Sequence, residues 1–98
     1  MDRLKDKAVL ISGGASGIGA ETARRVVREG GKAVIADRDE AAGRALAGEL
    51  GSAAIFTPLD VTREDQWIRA VADTVRAFGR LDGLLNAARS EEHTSELQ

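Results

Sequence analysis

Glycine spacing is the strongest chemical signal in this chain. Residues 12–19 read Ser-Gly-Gly-Ala-Ser-Gly-Ile-Gly and follow the apolar run Ala8-Val9-Leu10-Ile11, so a strand should turn into a helix beginning near Ile18. The first N–H groups of a helix lack internal partners and the peptide dipoles point their positive end there, so an anion is held without a lysine. Gly13 lets the chain leave the strand through a tight turn, Gly17 lets the backbone approach a phosphate oxygen, and Gly19 lets helix pack closely on sheet. The chemistry on offer is binding of a pyrophosphate. A glycine-rich turn also joins strand to helix with no ligand, and the loop alone leaves both readings open.

The next apolar run, residues 32–37, ends in a carboxylate eighteen residues beyond Gly19. In a βαβ nucleotide fold an acidic side chain at that tip accepts hydrogen bonds from the adenosine ribose hydroxyls. It also repels a 2′-phosphate, so Asp37 favours NAD over NADP. The adjacent Arg38 tempers that preference, since a guanidinium turned inward would hold a phosphate. The alternative for Asp37 is a cap or turn residue ahead of Asp39-Glu40.

The glycine pattern is Gly-x-x-x-Gly-x-Gly. Together with Asp60-Val61 after a third strand and Leu84-Leu85-Asn86-Ala87-Ala88 in a fourth, it resembles the N-terminal half of the short-chain dehydrogenase/reductase family. The resemblance runs from Met1 to about Ala88. It implies that Gly13, Ser16, Gly17, Ile18 and Gly19 form the pyrophosphate loop, that Asp37 takes the ribose with Arg38 beside it, and that Asp60 and Val61 meet the adenine edge. Asn86 matches the first asparagine of the family's Asn-Asn-Ala-Gly element, a structural and cofactor-side position. Ser12 stands for the usual threonine, Ala87 for the second asparagine, and Arg89 where glycine belongs.

The resemblance further implies hydride transfer between NAD(P) and a small alcohol or ketone, with a dimeric or tetrameric parent. In such chemistry a tyrosine in Tyr-x-x-x-Lys exchanges the proton that must accompany hydride. This chain has no tyrosine, and its lysines are Lys5, Lys7 and Lys32. The expectation is a cofactor-binding half without catalytic residues. The rivals are a nucleotide-binding module without catalysis and a methyltransferase, whose glycine loop is spaced differently. No Gly-Lys-Ser or Gly-Lys-Thr follows the glycines, which excludes a phosphate-binding loop of the NTPase kind.

From Arg89 the chain reads Arg-Ser-Glu-Glu-His-Thr-Ser-Glu-Leu-Gln, and one back-translation, AGATCGGAAGAGCACACGTCTGAACTCCAG, is identified as a short-read sequencing adapter. Residues 1–88 are therefore expected to be an NAD(P)-binding Rossmann-type fragment and residues 89–98 a non-native tail. The tail holds one basic and three acidic residues of the 14 and 16 in the chain, leaving thirteen of each, so the net charge of −2 belongs to it. The balanced remainder offers no basic stripe for nucleic acid and no polybasic membrane patch. With no cysteine, and with the only histidine at His93 in the tail, neither a metal site nor a redox motif is supported. No run approaches the length of a membrane span, and the charged opening does not read as a signal peptide, so the expected setting is cytoplasmic.

These residues need a scaffold. Ile18, Ala23, Val26 and Val27 fall near one face of a first helix, expected to stop at Gly30-Gly31; Ala42, Ala45, Leu46 and Leu50 mark a second, ended by Gly51. Residues 53–57 read as the third strand, with Pro58 denied a central ladder position. Thr62 should cap a third helix with Asp65 at capping-box spacing, and Ile68, Val71, Ala72, Val75 and Phe78 should form its buried stripe. Trp67 reads as partial packing at that helix's edge. With a fourth strand at residues 83–86, the alternation predicts an α/β fold: a parallel sheet in order 3-2-1-4, the N-terminal half of a Rossmann-type domain, cut after the fourth strand.

Overall fold

Alternating short apolar runs and amphipathic helices produce a parallel sheet covered on both faces. The structure is a computed structural model that describes residues 3–87. Its elements run β1 (Ala8–Ser12), α1 (Gly17–Arg28), β2 (Lys32–Asp37), α2 (Glu40–Leu50), a 3-10 turn (Gly51–Ala53), β3 (Ala54–Pro58), α3 (Glu64–Phe78) and β4 (Gly83–Asn86). The strands lie in the order β3-β2-β1-β4, all pairs parallel. This is the expected topology. The expected boundary at residue 88 and the tail at 89–98 lie outside the described residues.

Register explains why both sheet faces are apolar. Leu10 sits beside Val34 and Leu84, and Ile11 beside Ile35 and Leu85, so successive residues supply opposite faces. On one face Ile11, Ala33 and Ile35 pack against Ala20, Ala23 and Val26 of α1 and Leu46 of α2. On the other, Leu10, Val34, Ala36 and Leu59 pack against Ala70, with Trp67 and Phe78 partly buried alongside. Connections leave β1 toward one face and reach β4 from the other, which makes the β1–β4 boundary a topological switch point at the carboxyl end of the sheet.

Several local expectations are corrected. Ile18 is 69% exposed; it precedes the buried face of α1, which runs through Gly19, Ala20, Ala23 and Val26. The third strand starts one residue later than expected, because Gly51–Ala53 forms the 3-10 turn, and Pro58 ends it opposite Asp37. As the last residue of an edge strand, Pro58 sacrifices no central hydrogen bond.

The larger correction is the rotation of α3. Ile68, Val71 and Val75 are 64%, 38% and 46% exposed, whereas Ala70 and Thr74 are fully buried; Ala72 is exposed too, and only Phe78 of the expected stripe turns inward. Small side chains let the helix approach the sheet, and polar residues on that face are satisfied there. Thr74 Oγ1 donates to the Ala70 carbonyl at 2.8 Å, and the buried Thr57 hydroxyl donates to Asp73 Oδ2 at 3.0 Å. This orientation keeps both threonine hydroxyls bonded and leaves Ile68, Val71 and Val75 outside. Thr62 does not cap α3: the cap position is Arg63, without a side-chain bond.

Candidate cofactor-binding site

The residues singled out by the sequence converge on the carboxyl ends of the strands. The glycine loop follows β1, Asp37 ends β2 with Arg38 next in the chain, Asp60 and Val61 follow β3, and Asn86 ends β4. Gly13 has φ +71° and Gly17 φ +58°, backbone conformations that side chains with a Cβ adopt at a cost. A Cβ on Gly19 would run into the Gly13 carbonyl, so the third glycine is required by the loop folding over the first turn of α1. Around Gly17 nothing lies within 4 Å of where a Cβ would sit.

The loop is held by the neighbouring strand. Gly13 N–H donates to the Ala36 carbonyl at 2.7 Å, Gly14 N–H to the same oxygen at 3.2 Å, and Ala15 N–H to Asp37 Oδ2 at 3.0 Å. Beyond Ala15 the pattern changes. Ser16 occupies the helix cap position with no side-chain capping bond, and the N–H groups of Gly17, Ile18 and Gly19, at the helix start, have no carbonyl one turn back. Ser16, Gly17 and Ile18 are exposed. An uncommitted hydroxyl and a fan of N–H groups at the positive end of a helix fit a pyrophosphate.

Asp37 is both a loop anchor and a turn residue. Its Oδ1 accepts the Asp39 N–H at 2.9 Å, while Asp39 itself caps α2 by accepting from Ala42 N–H. The cap role considered for Asp37 thus falls to Asp39, and the turn role stays with Asp37. Arg38 is exposed at the same tip.

Asp60 and Val61 sit in a loop fixed from three sides. Asp60 N–H donates to Gln66 Oε1 at 2.7 Å, Asp60 Oδ1 accepts the Thr62 hydroxyl at 2.6 Å and the Thr62 N–H at 3.0 Å, and Trp67 Nε1–H donates to the Val61 carbonyl at 3.0 Å. The Thr62 hydroxyl and N–H, with Arg38 and Arg63 nearby, hold the Asp60 carboxyl below its ordinary value against a smaller opposing effect of burial. Gln66 was not foreseen from the sequence; Trp67 packs partly buried at the helix edge as expected, and its bond to Val61 is additional. An indole N–H six residues after an apolar residue carries no readable signal until α3's rotation is known.

At β4 the buried Ser12 hydroxyl donates to Asn86 Oδ1 at 2.7 Å, and Ala87 N–H donates to the Ser12 carbonyl at 2.9 Å. The hydroxyl that serine shares with threonine is therefore used to orient Asn86. Among the described residues there is no group of acidic or histidine side chains able to hold a metal, and no helix long and apolar enough to cross a membrane.

Known proteins share this sequence and fold. The sequence profile of the family described as short chain dehydrogenase matches residues 7–98. The chain is 48% identical over 86 residues to a tropinone reductase-like 2 protein of Erythroxylum coca, covering 88% of this chain and 31% of that protein. It is 45% identical over 96 residues to an L-fucose dehydrogenase of Oryctolagus cuniculus, covering 98% and 34%. Among solved structures, a 3-ketoacyl-(acyl-carrier-protein) reductase from Brucella melitensis complexed with NADH superposes with a TM-score of 0.81 at 40% identity, covering 83% of this chain and 34% of that one. The chain belongs to the short-chain dehydrogenase/reductase family. It spans about a third of the length of these relatives.

Proposed function

We propose that this chain is the NAD-binding half of an oxidoreductase that moves hydride between nicotinamide and an alcohol or ketone. The observation that carries the reading is the loop after β1, where Ser16 and the first N–H groups of α1 stand uncommitted beside an acidic β2 tip. Bound NAD would supply the hydride acceptor and NADH the donor. The chain's own residues do the holding: Gly13, Ser16, Gly17, Ile18 and Gly19 surround the pyrophosphate, Asp37 accepts from the ribose hydroxyls, Asp60 and Val61 meet adenine, and Asn86 lines the cofactor side of β4.

NAD over NADP rests on charge. A 2′-phosphate brought to the Asp37 carboxylate meets like-charge repulsion, which exposed Arg38 only partly offsets. A sequence without tyrosine lacks the family's proton donor, so these 98 residues bind cofactor and leave proton exchange to groups they do not contain. That same fact favours the second reading, a nucleotide-binding module without catalysis. Titrating the chain with NADH and NADPH, following nicotinamide emission, tests cofactor choice. Tighter NADH binding is expected; equal or reversed affinities would remove Asp37 as the selector.

A further inference from the structure

Helices α1 and α3 each turn a polar flank toward the β3 side of the sheet and an apolar flank toward the β4 side. On α3, Gln66, Arg69 and Asp73 bond to Asp60, Pro58 and Thr57, in or just after β3, which turns the exposed Ile68, Val71 and Val75 the other way. On α1, Arg24 pairs with Glu49 of α2 at 3.0 Å. Ile18, Thr22 and Val26 therefore face away from α2 and line, with Leu4, a groove of about 360 Å³. Between the two apolar flanks lies β4, whose outer edge has no strand partner among the described residues. Leu84 is exposed on α3's face of it, and Leu85 is partly buried on α1's. The opposite edge is protected: Pro58 closes β3, and the Arg44 guanidinium sits 5.3 Å over the Phe56 ring.

We propose that this β4 side is a docking surface for a separate polypeptide, the remaining part of a short-chain dehydrogenase, which lengthens the sheet with a strand parallel to β4 and lays an apolar helix in the groove on each face. The proposal rests on reading the chain as one half of such an enzyme, and the relatives it matches are about three times as long. A strand added beyond β4 by a right-handed crossover brings its helix over α3's face, against Ile68, Val71, Val75 and Leu84. The groove along α1 takes a helix from the opposite face, so the partner must itself be of α/β build. A second copy fits worse. Joined edge to edge, two copies hold their β1 strands three strand spacings, about 14 Å, apart. Because α3 packs over β1 and β2, the two α3 helices then stand beyond the roughly 8–10 Å at which helices pack, and both grooves stay open.

The test co-expresses the full chain with an affinity-tagged fragment, the part of the Oryctolagus cuniculus L-fucose dehydrogenase that the chain does not match. The fragment is expected to be soluble only with the chain and to bring it down in equal amount. Ile68→Lys with Val71→Glu should cut the recovered chain about tenfold or more, the worth of burying one such side chain, while affinity for NADH stays that of the unaltered chain. Amide exchange should slow in β4 on docking and stay unchanged in β3. A fragment left insoluble, equal recovery of the variant, or protection spread to β3 overturns the proposal. So does a β4 already protected in the dilute chain alone, which assigns the edge to residues 88–98, and so does a dimer of the chain that survives excess fragment. Docking by a chain that binds no NADH removes the cofactor reading and leaves the docking surface standing; NADH binding without docking does the reverse.

Discussion

The carboxylate of Asp37 accepts the Ala15 N–H at 3.0 Å, tying the tip of β2 to the glycine loop that follows β1. One side chain thereby holds the loop's shape and presents negative charge beside it. Replacing it should affect both properties. Asp37→Ala is expected to weaken NAD binding about tenfold or more, since hydrogen bonds to a charged group are worth about 1.5–3 kcal/mol. NADP binding should suffer less, because repulsion of the 2′-phosphate disappears as well. The ratio of the two dissociation constants checks this, and an unchanged ratio would take Asp37 out of the site.

Gly17 and Gly19 should fail in different ways. Gly17→Ala places a Cβ in open space on a left-handed backbone, costing about 1–2 kcal/mol of stability. Gly19→Ala drives a Cβ into the Gly13 carbonyl, so the loop must move and cofactor binding should be lost. Thermal melts and NAD titration of the two variants separate strain from collision. Undiminished binding by Gly19→Ala would contradict the described loop.

Acid should destabilise the chain. Asp60 is held below its ordinary value by Thr62, and Asp82 by the Arg80 guanidinium and the Ala8 N–H. A carboxylate whose folded pKa is depressed contributes stability that is full above its unfolded value and drains as pH falls through the folded value. Urea midpoints should therefore fall below pH about 4, the ordinary aspartate range, and stay level above it. Both groups face solvent, so the effect is modest and screened by salt. Thr62→Val should reduce the acid loss, and a midpoint that rises on acidification would refute the assignment.

Four exposed apolar side chains should limit solubility. Ile68, Val71 and Val75 line one side of α3, and Leu84 of β4 is 58% exposed. The outer edge of β4 has no strand partner among the described residues. Apolar surface beside an open strand edge favours association. Ile68→Lys with Val71→Glu should raise the soluble yield while leaving the fold, read by circular dichroism, unchanged. Equal yields would show that this face is not what limits the chain.

Topology and the loop were legible because each rests on local, periodic information. Alternating runs ended by Gly51 and Gly79 set strand and helix lengths, and the glycine loop, Asp37, Asp60 and Asn86 all fall at the carboxyl ends of strands. The rotation of α3 was not legible. Its sequence offers two stripes at helical spacing, and which one meets the sheet depends on tertiary contacts, such as that of the buried Thr57 hydroxyl with Asp73, that no local pattern records. The bonds of Gln66 and Trp67 to residues 60–61 were hidden for the same reason, since their reach back depends on that rotation, whereas the edge packing of Trp67 was as expected. Asp39 took the cap considered for Asp37 because the chain turns two residues earlier than α2 begins.

The most direct test of the whole account is to map NAD onto the chain by amide chemical-shift perturbation. Shifts are expected at Gly13, Ser16, Gly17, Ile18 and Gly19, at Asp37, and at Asp60 and Val61. Shifts confined elsewhere, such as the apolar groove of about 360 Å³ that Leu4, Thr22 and Val26 line along α1, would contradict it, as would no shifts at saturating NAD.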